Sequence, residues 1–406
     1  MDTIIIGNGP AGICLSLFLS GWWPYYKGGH PDPELDRRLT DGSASLFERG
    51  LLPLYEGLEG RSDNPAALLF DRLHHPAADT PRVLPSTLEL KRRPDRAVPH
   101  MVLGSGYPGG SWHRMPAKMR SLSPGNWMEL PGWSLFEWAR SEGRWIDPNA
   151  RIARSEIANY YRAFVARMKL GEHFRSGVRV VAARPTDTGW EVDVDADGKV
   201  STHACRNLVL ACGMYDRPNT LGIPGEDLGI VTHRTPETGT GTLLVVGSGL
   251  SAADAILFAL DAGRQVVHVF FDEVEATPMA GLLRSIYPEY RNLTDWMEGA
   301  PAEHYQAFSG GRLTEVGEGG YCIIEGPEGR TVCQVDQVAV LVGSTPDLSF
   351  MPPGTVGSIE PLPVNPFNFH VGPQGLYAIG PLAGDNFVRF ITGHGFAVAH
   401  DLIGSA

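Results

Sequence analysis

The chain has 406 residues, 43% hydrophobic and 20% charged, the make-up of an ordinary globular protein with room for two domains. Its formal net charge of −12 excludes a nucleic-acid partner, which needs a basic face. No apolar run approaches the roughly 20 residues of a membrane span, and residues 1–7 hold no basic n-region, so neither membrane anchor nor signal peptide is expected and a cytoplasmic location is.

In chain order, a β-branched strand at 3–6 leads into a helix at 11–19. Residues 22–150 are irregular and rich in Pro, Gly and Trp, with short helical pieces at 65–73 and 134–141; so long an irregular section reads as functional surface. An amphipathic helix follows at 155–170, then strands at 178–183, 190–195 and 208–212. A strand–glycine–helix–strand unit covers 242–271. Strands at 321–325 and 335–342 precede a Gly/Pro-rich part closed by a helix at 395–402. The five cysteines, Cys14, Cys205, Cys212, Cys322 and Cys333, include no Cys-x-x-Cys pair, which speaks for reduced thiols and against a redox dithiol. Cys205 and Cys212 read as core residues. No histidine or cysteine cluster has zinc spacing, so no metal site is expected; His74-His75 reads as a solvated loop pair.

Two segments carry a specific physical signal. Gly7-Asn8-Gly9-Pro10-Ala11-Gly12 is G-x-G-x-x-G between a strand and a helix. One glycine makes the turn, one admits a pyrophosphate, and one lets helix pack on strand. The helix N-terminus then offers free N–H groups to phosphate. The ribose-binding carboxylate expected about 20 residues on is missing from residues 21–30. Either the strand runs differently, or backbone and His30 hold the ribose. The second segment, Gly247-Ser248-Gly249-Leu250-Ser251-Ala252, is G-x-G-x-x-A after an apolar strand. Gly263 can cap its helix, and the next strand ends at Asp272, where a carboxylate favours the free ribose hydroxyl of NADH over the phosphate of NADPH. An N-terminal and an internal site in one chain is the layout of flavoproteins binding two dinucleotides, FAD and NAD(P)H.

Further phrases narrow this. Gly109-Gly110-Ser111-Trp112 resembles the second flavin motif of class B flavin monooxygenases. Residues 210–218, with Gly213, and 342–347, with Gly343, resemble the hinges between their two domains. Residues 375–381, with Gly380 and Pro381, and Gly393-His394-Gly395 resemble the stretch that closes over the flavin. Within that class the phrases at 7–16, 30–33, 57–62, 119–132 and 286–290 are similar to the oxidative-stress-induced growth inhibitor family. The resemblance spans essentially the whole chain and implies FAD binding and NADPH-dependent monooxygenation. Two departures stand out. Relatives tend to carry Arg or Lys where Asp272 stands, which tilts the choice to NADH. The monooxygenase fingerprint survives only as Gly229 and His233, with Asp227 and Glu237 at its aromatic positions.

The expected fold is α/β: a Rossmann-like FAD domain (1–225 and 336–406, with 30–150 as substrate section) and an inserted NAD(P)H domain (226–335), with the chemistry in the cleft where they meet. The expected activity oxygenates a small organic substrate with molecular oxygen through a flavin hydroperoxide; a flavin oxidase or reductase and a non-catalytic flavin-binding regulator stay open. Asn126, Asn386 and Arg389 are the candidate catalytic residues, with His394 a further donor near the flavin. Trp112, Trp127 and Trp133 are candidates for stacking or core, and Tyr287 and Tyr290 for the cofactor cleft or packing. No nucleic-acid or membrane partner is expected, and a homodimer is left open.

Overall fold

The computed structural model describes residues 1–40, 44–80, 82–282, 287–357, 361–373 and 375–404; Ile286, part of one family phrase, lies outside them. The chain divides into two compact units, Met1–Met115 with Arg120–Met214 and Pro346–Ala406, and Pro116–Met119 with Tyr215–Thr345.

In the first unit, β1 (Thr3–Ile6) is buried along its whole length, as a strand covered on both faces of a parallel sheet must be. The sheet runs Leu376–Ala378, Asn207–Leu210, β1, His100–Gly104, Phe174–Ser176, all parallel. Helix α1 (Pro10–Leu19) is buried from Ala11 to Leu19, and the Cys14 thiol meets the Thr392 carbonyl at 3.5 Å on the final helix, Val388–Gly404.

The next strand, β2 (Trp22–Tyr26), does not join this sheet. It pairs antiparallel with β3 (Leu88–Arg92), and the strands flanking β1 are β4 (His100–Gly104) and Asn207–Leu210. Helices α2 (Pro33–Thr40), α3 (Leu52–Tyr55) and α4 (Pro65–His74) lie between β2 and β3. The section read as irregular therefore inserts ordered structure between α1 and its partner strand. It also feeds the core: Phe18, Phe47, Phe70 and Phe396 meet with ring centroids 5.2 to 6.2 Å apart, near the favoured aromatic spacing. The helix Leu135–Ser141 starts at a reciprocal cap, Ser134 Oγ accepting from Glu137 N–H and Glu137 from Ser134 N–H, which the S-x-x-E spelling encodes. Along Gly189–Ala196, Trp190, Val192 and Val194 are buried in alternation and cover the sheet with Ile4 and Ile6. Cys205 is buried, Cys212 only partly.

The second unit holds a parallel sheet ordered Val231–Thr232, Gln337–Val340, Thr242–Val246, Gln265–Phe270, Tyr305–Ser309. An antiparallel sheet of Arg312–Val316, Tyr321–Gly326 and Gly329–Gln334 accompanies it and sets Cys322 opposite Cys333. The helix Leu250–Asp261 ends before Gly263, whose φ is +73°. The two segments read as hinges pair antiparallel through Arg217–Pro218 and Ser344–Thr345.

Candidate functional site

Where β1 ends, Gly7 turns the chain at φ +117°, and a Cβ there would sit 2.1 Å from the Ala211 carbonyl oxygen. A Cβ on Gly12 would lie 2.1 Å from Gly7 O, whereas one on Gly9 meets nothing within 4 Å. Gly9 is the N-cap of α1, no side chain caps it, and Pro10 opens the helix. The first-turn N–H groups, including those of Ala11 and Gly12, thus stand at the positive end of a helix that has no side-chain cap.

The other flavin phrases fold onto this loop. Gly109 N–H donates to Asn8 O (2.8 Å), Asn8 Nδ2 donates to Gly106 O (2.7 Å), and a Cβ on Gly110 would lie 3.0 Å from Gly9 Cα. Ser111 and Trp112 continue the turn Gly110–His113, which Arg154 Nη1 holds through Trp112 O (3.4 Å) and His113 O (3.3 Å). Gly380 opens a turn with Pro381, and its Cβ position lies 3.3 Å from Ala11 Cβ. Gly213 follows the strand Asn207–Leu210 with φ +78°.

Two sequence expectations change here. The strand after α1, β2, does not pair with β1, whereas β4 does, so the carboxylate position falls near Gly104 and not in residues 21–30. His30 is buried and its ring is committed to protein: Nε2 donates to Arg72 O (3.0 Å) and Nδ1 accepts from Asp32 N–H (3.0 Å). A ring with both nitrogens engaged has no atom left for a ribose. His394 is likewise buried and satisfied. Gly380 N–H donates to its Nδ1 (3.0 Å), its Nε2 donates to Asp385 (2.8 Å), and Phe369 stacks on it at 4.2 Å. Burial lowers its pKa against the pull of Asp385, so it is a neutral strut for the Gly380 turn.

In the second unit Gly247 has φ +126° and its Cβ would lie 2.3 Å from Leu341 O, while a Cβ on Gly249 meets nothing within 4 Å. Gly249 caps the helix that Leu250 and Ser251 open, and Ala252 is buried against the strand. Asp272 is exposed beyond the end of the Gln265–Phe270 strand and accepts from Ser248 Oγ in the glycine loop. Beneath the loop, His268 donates from Nε2 to Gly247 O and accepts at Nδ1 from Tyr305, each at 2.8 Å; burial pushes its pKa down to about 4. Gly343, at φ +90°, is tied to Asn219, whose N–H donates to its carbonyl (3.0 Å). Tyr290 is buried and donates to Asp254 (2.7 Å), with Tyr287 stacked on it at 6.2 Å, a packing arrangement. His233 pairs with Glu226 at 2.9 Å.

Arg389 packs on Trp127, the residue that follows Asn126. The Arg389 guanidinium lies 4.2 Å from the Trp127 ring centroid and 4.4 Å from that of Phe390. It reaches Asp79 at 2.6 Å and Asp71 at 3.3 Å, and its side chain is 1% exposed. The neighbouring Asn126 Oδ1 is buried with no hydrogen-bond partner among the described residues. Arg61 covers the same Trp127 at 5.3 Å. Asn386, grouped with them from sequence, is surface-exposed. Trp133 packs against the core beside Tyr160 at 6.2 Å.

Sequence reasoning missed a further group. His74 and His75 are buried, not solvated, because α4 runs to His74 and carries both rings inward. One nitrogen of each and a Glu129 carboxylate oxygen lie within 4.8 Å of one another. Burial pushes Glu129 up to about 8 and His74 well below its usual value. Only a full count of the helix through residue 74 would have turned the pair inward.

A family model for pyridine nucleotide-disulphide oxidoreductases matches residues 89–380. Oxidative stress-induced growth inhibitor 1 of Mus musculus is 38% identical, covering 99% of this chain and 95% of its own. Oxidative stress-induced growth inhibitor 2 of Homo sapiens is 33% identical over 98% and 92%. Among solved structures, bacillithiol disulfide reductase from Bacillus cereus is similar with a TM-score of 0.68 at 18% identity, over 100% of this chain and 99% of that one. A flavin-containing monooxygenase from Stenotrophomonas maltophilia gives 0.56 at 15% identity, over 100% and 98%. These two likenesses describe a shared fold, that of flavoproteins with two dinucleotide-binding domains. With relatives this similar along their full length, the chain belongs to the oxidative stress-induced growth inhibitor family, among the pyridine nucleotide-disulphide oxidoreductases.

Proposed function

We propose that this protein is an FAD-dependent, NAD(P)H-using monooxygenase that oxygenates a small organic substrate with molecular oxygen. The observation that carries the reading is the Gly-Gly-Ser-Trp turn folded onto Gly9 in a chain with a second nucleotide loop. The residues present fit FAD: the space beside Gly9 and the uncapped N–H groups of α1 suit a pyrophosphate. Bound there, FAD supplies hydride acceptance and oxygen activation. The chain's own residues bind, orient and shield. The first turn of α1 holds phosphate. Asn126 Oδ1, a buried acceptor without a donor, takes an N–H or O–H of cofactor or substrate. Arg389, fixed by Asp71 and Asp79 and stacked on Trp127, closes a wall that keeps water out. Asp272 receives the ribose hydroxyls of the nicotinamide dinucleotide, which supports NADH as the preferred donor.

A second reading, an NAD(P)H oxidase or reductase, is supported by the eroded monooxygenase fingerprint, in which His233 is tied to Glu226, and by the likeness to a disulfide reductase. The chain has no Cys-x-x-Cys of its own, so such a reductase would act on a partner or small molecule without an internal dithiol. A flavin-binding regulator is the third. Anaerobic stopped-flow absorbance with NADH and NADPH, followed by oxygen, separates them. Rapid bleaching and a transient near-ultraviolet band before reoxidation is the monooxygenase outcome. Direct return to oxidised flavin is the oxidase outcome, and no bleaching with either nucleotide sinks hydride transfer.

A further inference from the structure

We propose that His74, His75 and Glu129 form a three-ligand site for a divalent transition-metal ion of the zinc class. One nitrogen from each imidazole and one carboxylate oxygen already converge within 4.8 Å of one another. The Nδ1 atoms are occupied: that of His75 lies 3.1 Å from Asp71 Oδ1 and that of His74 lies 3.2 Å from Ser86 Oγ. Both Nε2 atoms are buried and have no hydrogen-bond partner among the described residues. Proteins seldom leave a buried polar nitrogen unpaired, and here two adjacent residues do so in one cluster. A shared cation is the ligand that satisfies both lone pairs and the carboxylate at once.

The surroundings have the form of a metal site. Asp71 engages the far nitrogen of His75 in a carboxylate–histidine arrangement, which fixes the ring. Arg389 in turn holds Asp71 at 3.3 Å. Glu129 is half-buried after the turn Gly125–Trp127, and its Oε2 accepts from Leu135 N–H at 3.3 Å. Two imidazoles and a carboxylate suit zinc and its neighbours better than calcium or magnesium. Bonds of roughly 2.0–2.2 Å set donor atoms about 3.3 Å apart, so the three donors, now within 4.8 Å of one another, draw closer on a shared ion. Three protein ligands leave a position for water or a substrate atom.

The test uses the full-length protein with its flavin, stripped by chelator and titrated with Co²⁺ and then Zn²⁺. One Co²⁺ per chain, with visible d–d bands of a four- or five-coordinate site that Zn²⁺ abolishes, is the expected result. Glu129→Gln keeps an amide in place of the carboxylate and should weaken Co²⁺ at least tenfold with flavin absorbance and melting retained; His75→Asn should do the same. Should a variant not fold, the wild-type stoichiometry and spectrum decide. Absence of stoichiometric, zinc-competed cobalt binding overturns the proposal, as does a folded Glu129→Gln that binds like wild type.

Discussion

Gly9→Ala isolates what the N-terminal glycines do. Gly9 sits at φ −73° and ψ −176°, a conformation alanine adopts freely, and a Cβ there touches nothing within 4 Å. The folded chain should tolerate the change, with stability unaltered or raised by about 0.4–1 kcal/mol through the unfolded state. The new methyl stands where a pyrophosphate must approach the backbone, so FAD affinity should fall at least tenfold, or about 1.4 kcal/mol. Gly12→Ala contrasts with it: the added Cβ, 2.1 Å from Gly7 O, forces the loop open and should destabilise the apoprotein by roughly 1–3 kcal/mol. The assay is flavin-fluorescence titration of each apoprotein beside its thermal melt. If Gly9→Ala binds FAD as tightly as wild type, no pyrophosphate lies against Gly9 and the cradle is misassigned.

Asp272→Ser, at an exposed carboxylate beside the Ser248 loop, should shift the NADH/NADPH ratio of kcat/KM at least tenfold toward NADPH. Arg312, 4.0 Å over Phe271, is the nearby cation for a 2′-phosphate, and an unmoved ratio would remove Asp272 from the ribose. Arg389→Leu leaves buried Asp71 without its cation and should cost about 3–5 kcal/mol in denaturant unfolding. Arg61→Ala, which breaks the half-exposed pair with Asp79, should cost under about 1 kcal/mol; equal losses would refute the distinction. His268 stays neutral in the fold because burial pushes its pKa from 6.5 to about 4. The unfolded chain then binds the extra proton, so stability present above pH 6.5 is lost as pH falls toward 4, by about 3 kcal/mol from this residue. His268→Gln should make the stability–pH slope shallower over that window, and an unchanged slope would contradict the assignment.

The parts most legible in the sequence are those where one residue type has one physical use. The strand at Thr3–Ile6, the glycine loops and the reciprocal cap at Ser134 need little beyond local geometry. The second nucleotide unit was readable for the same reason, since strand, loop, helix and strand follow without interruption from Thr242 to Phe270. What escaped were long-range pairings. Nothing local in Trp22–Tyr26 tells that it pairs with Leu88–Arg92, and His100–Gly104 gives no sign of being the neighbour of β1. The His74–His75–Glu129 group escaped likewise, because its third member lies far along the chain and is brought in only by packing.

The missing ribose carboxylate follows from that same rearrangement. The strand beside β1 ends at Gly104, where a Cβ would lie 2.2 Å from the Asn8 side chain, so no side chain fits at the strand end while Asn8 keeps its place. Asn8 in turn is held by its bond to Gly106 O and by Gly109 N–H on its own carbonyl. The first glycine loop and the Gly109–Gly110 turn are thereby bolted to one another through a residue that occupies the carboxylate's room. Rigidity of the phosphate cradle and a ribose-binding acid at Gly104 are sterically exclusive here. This chain has taken the former. The internal site, with Asp272 exposed at its strand end beside Ser248, faces no such conflict.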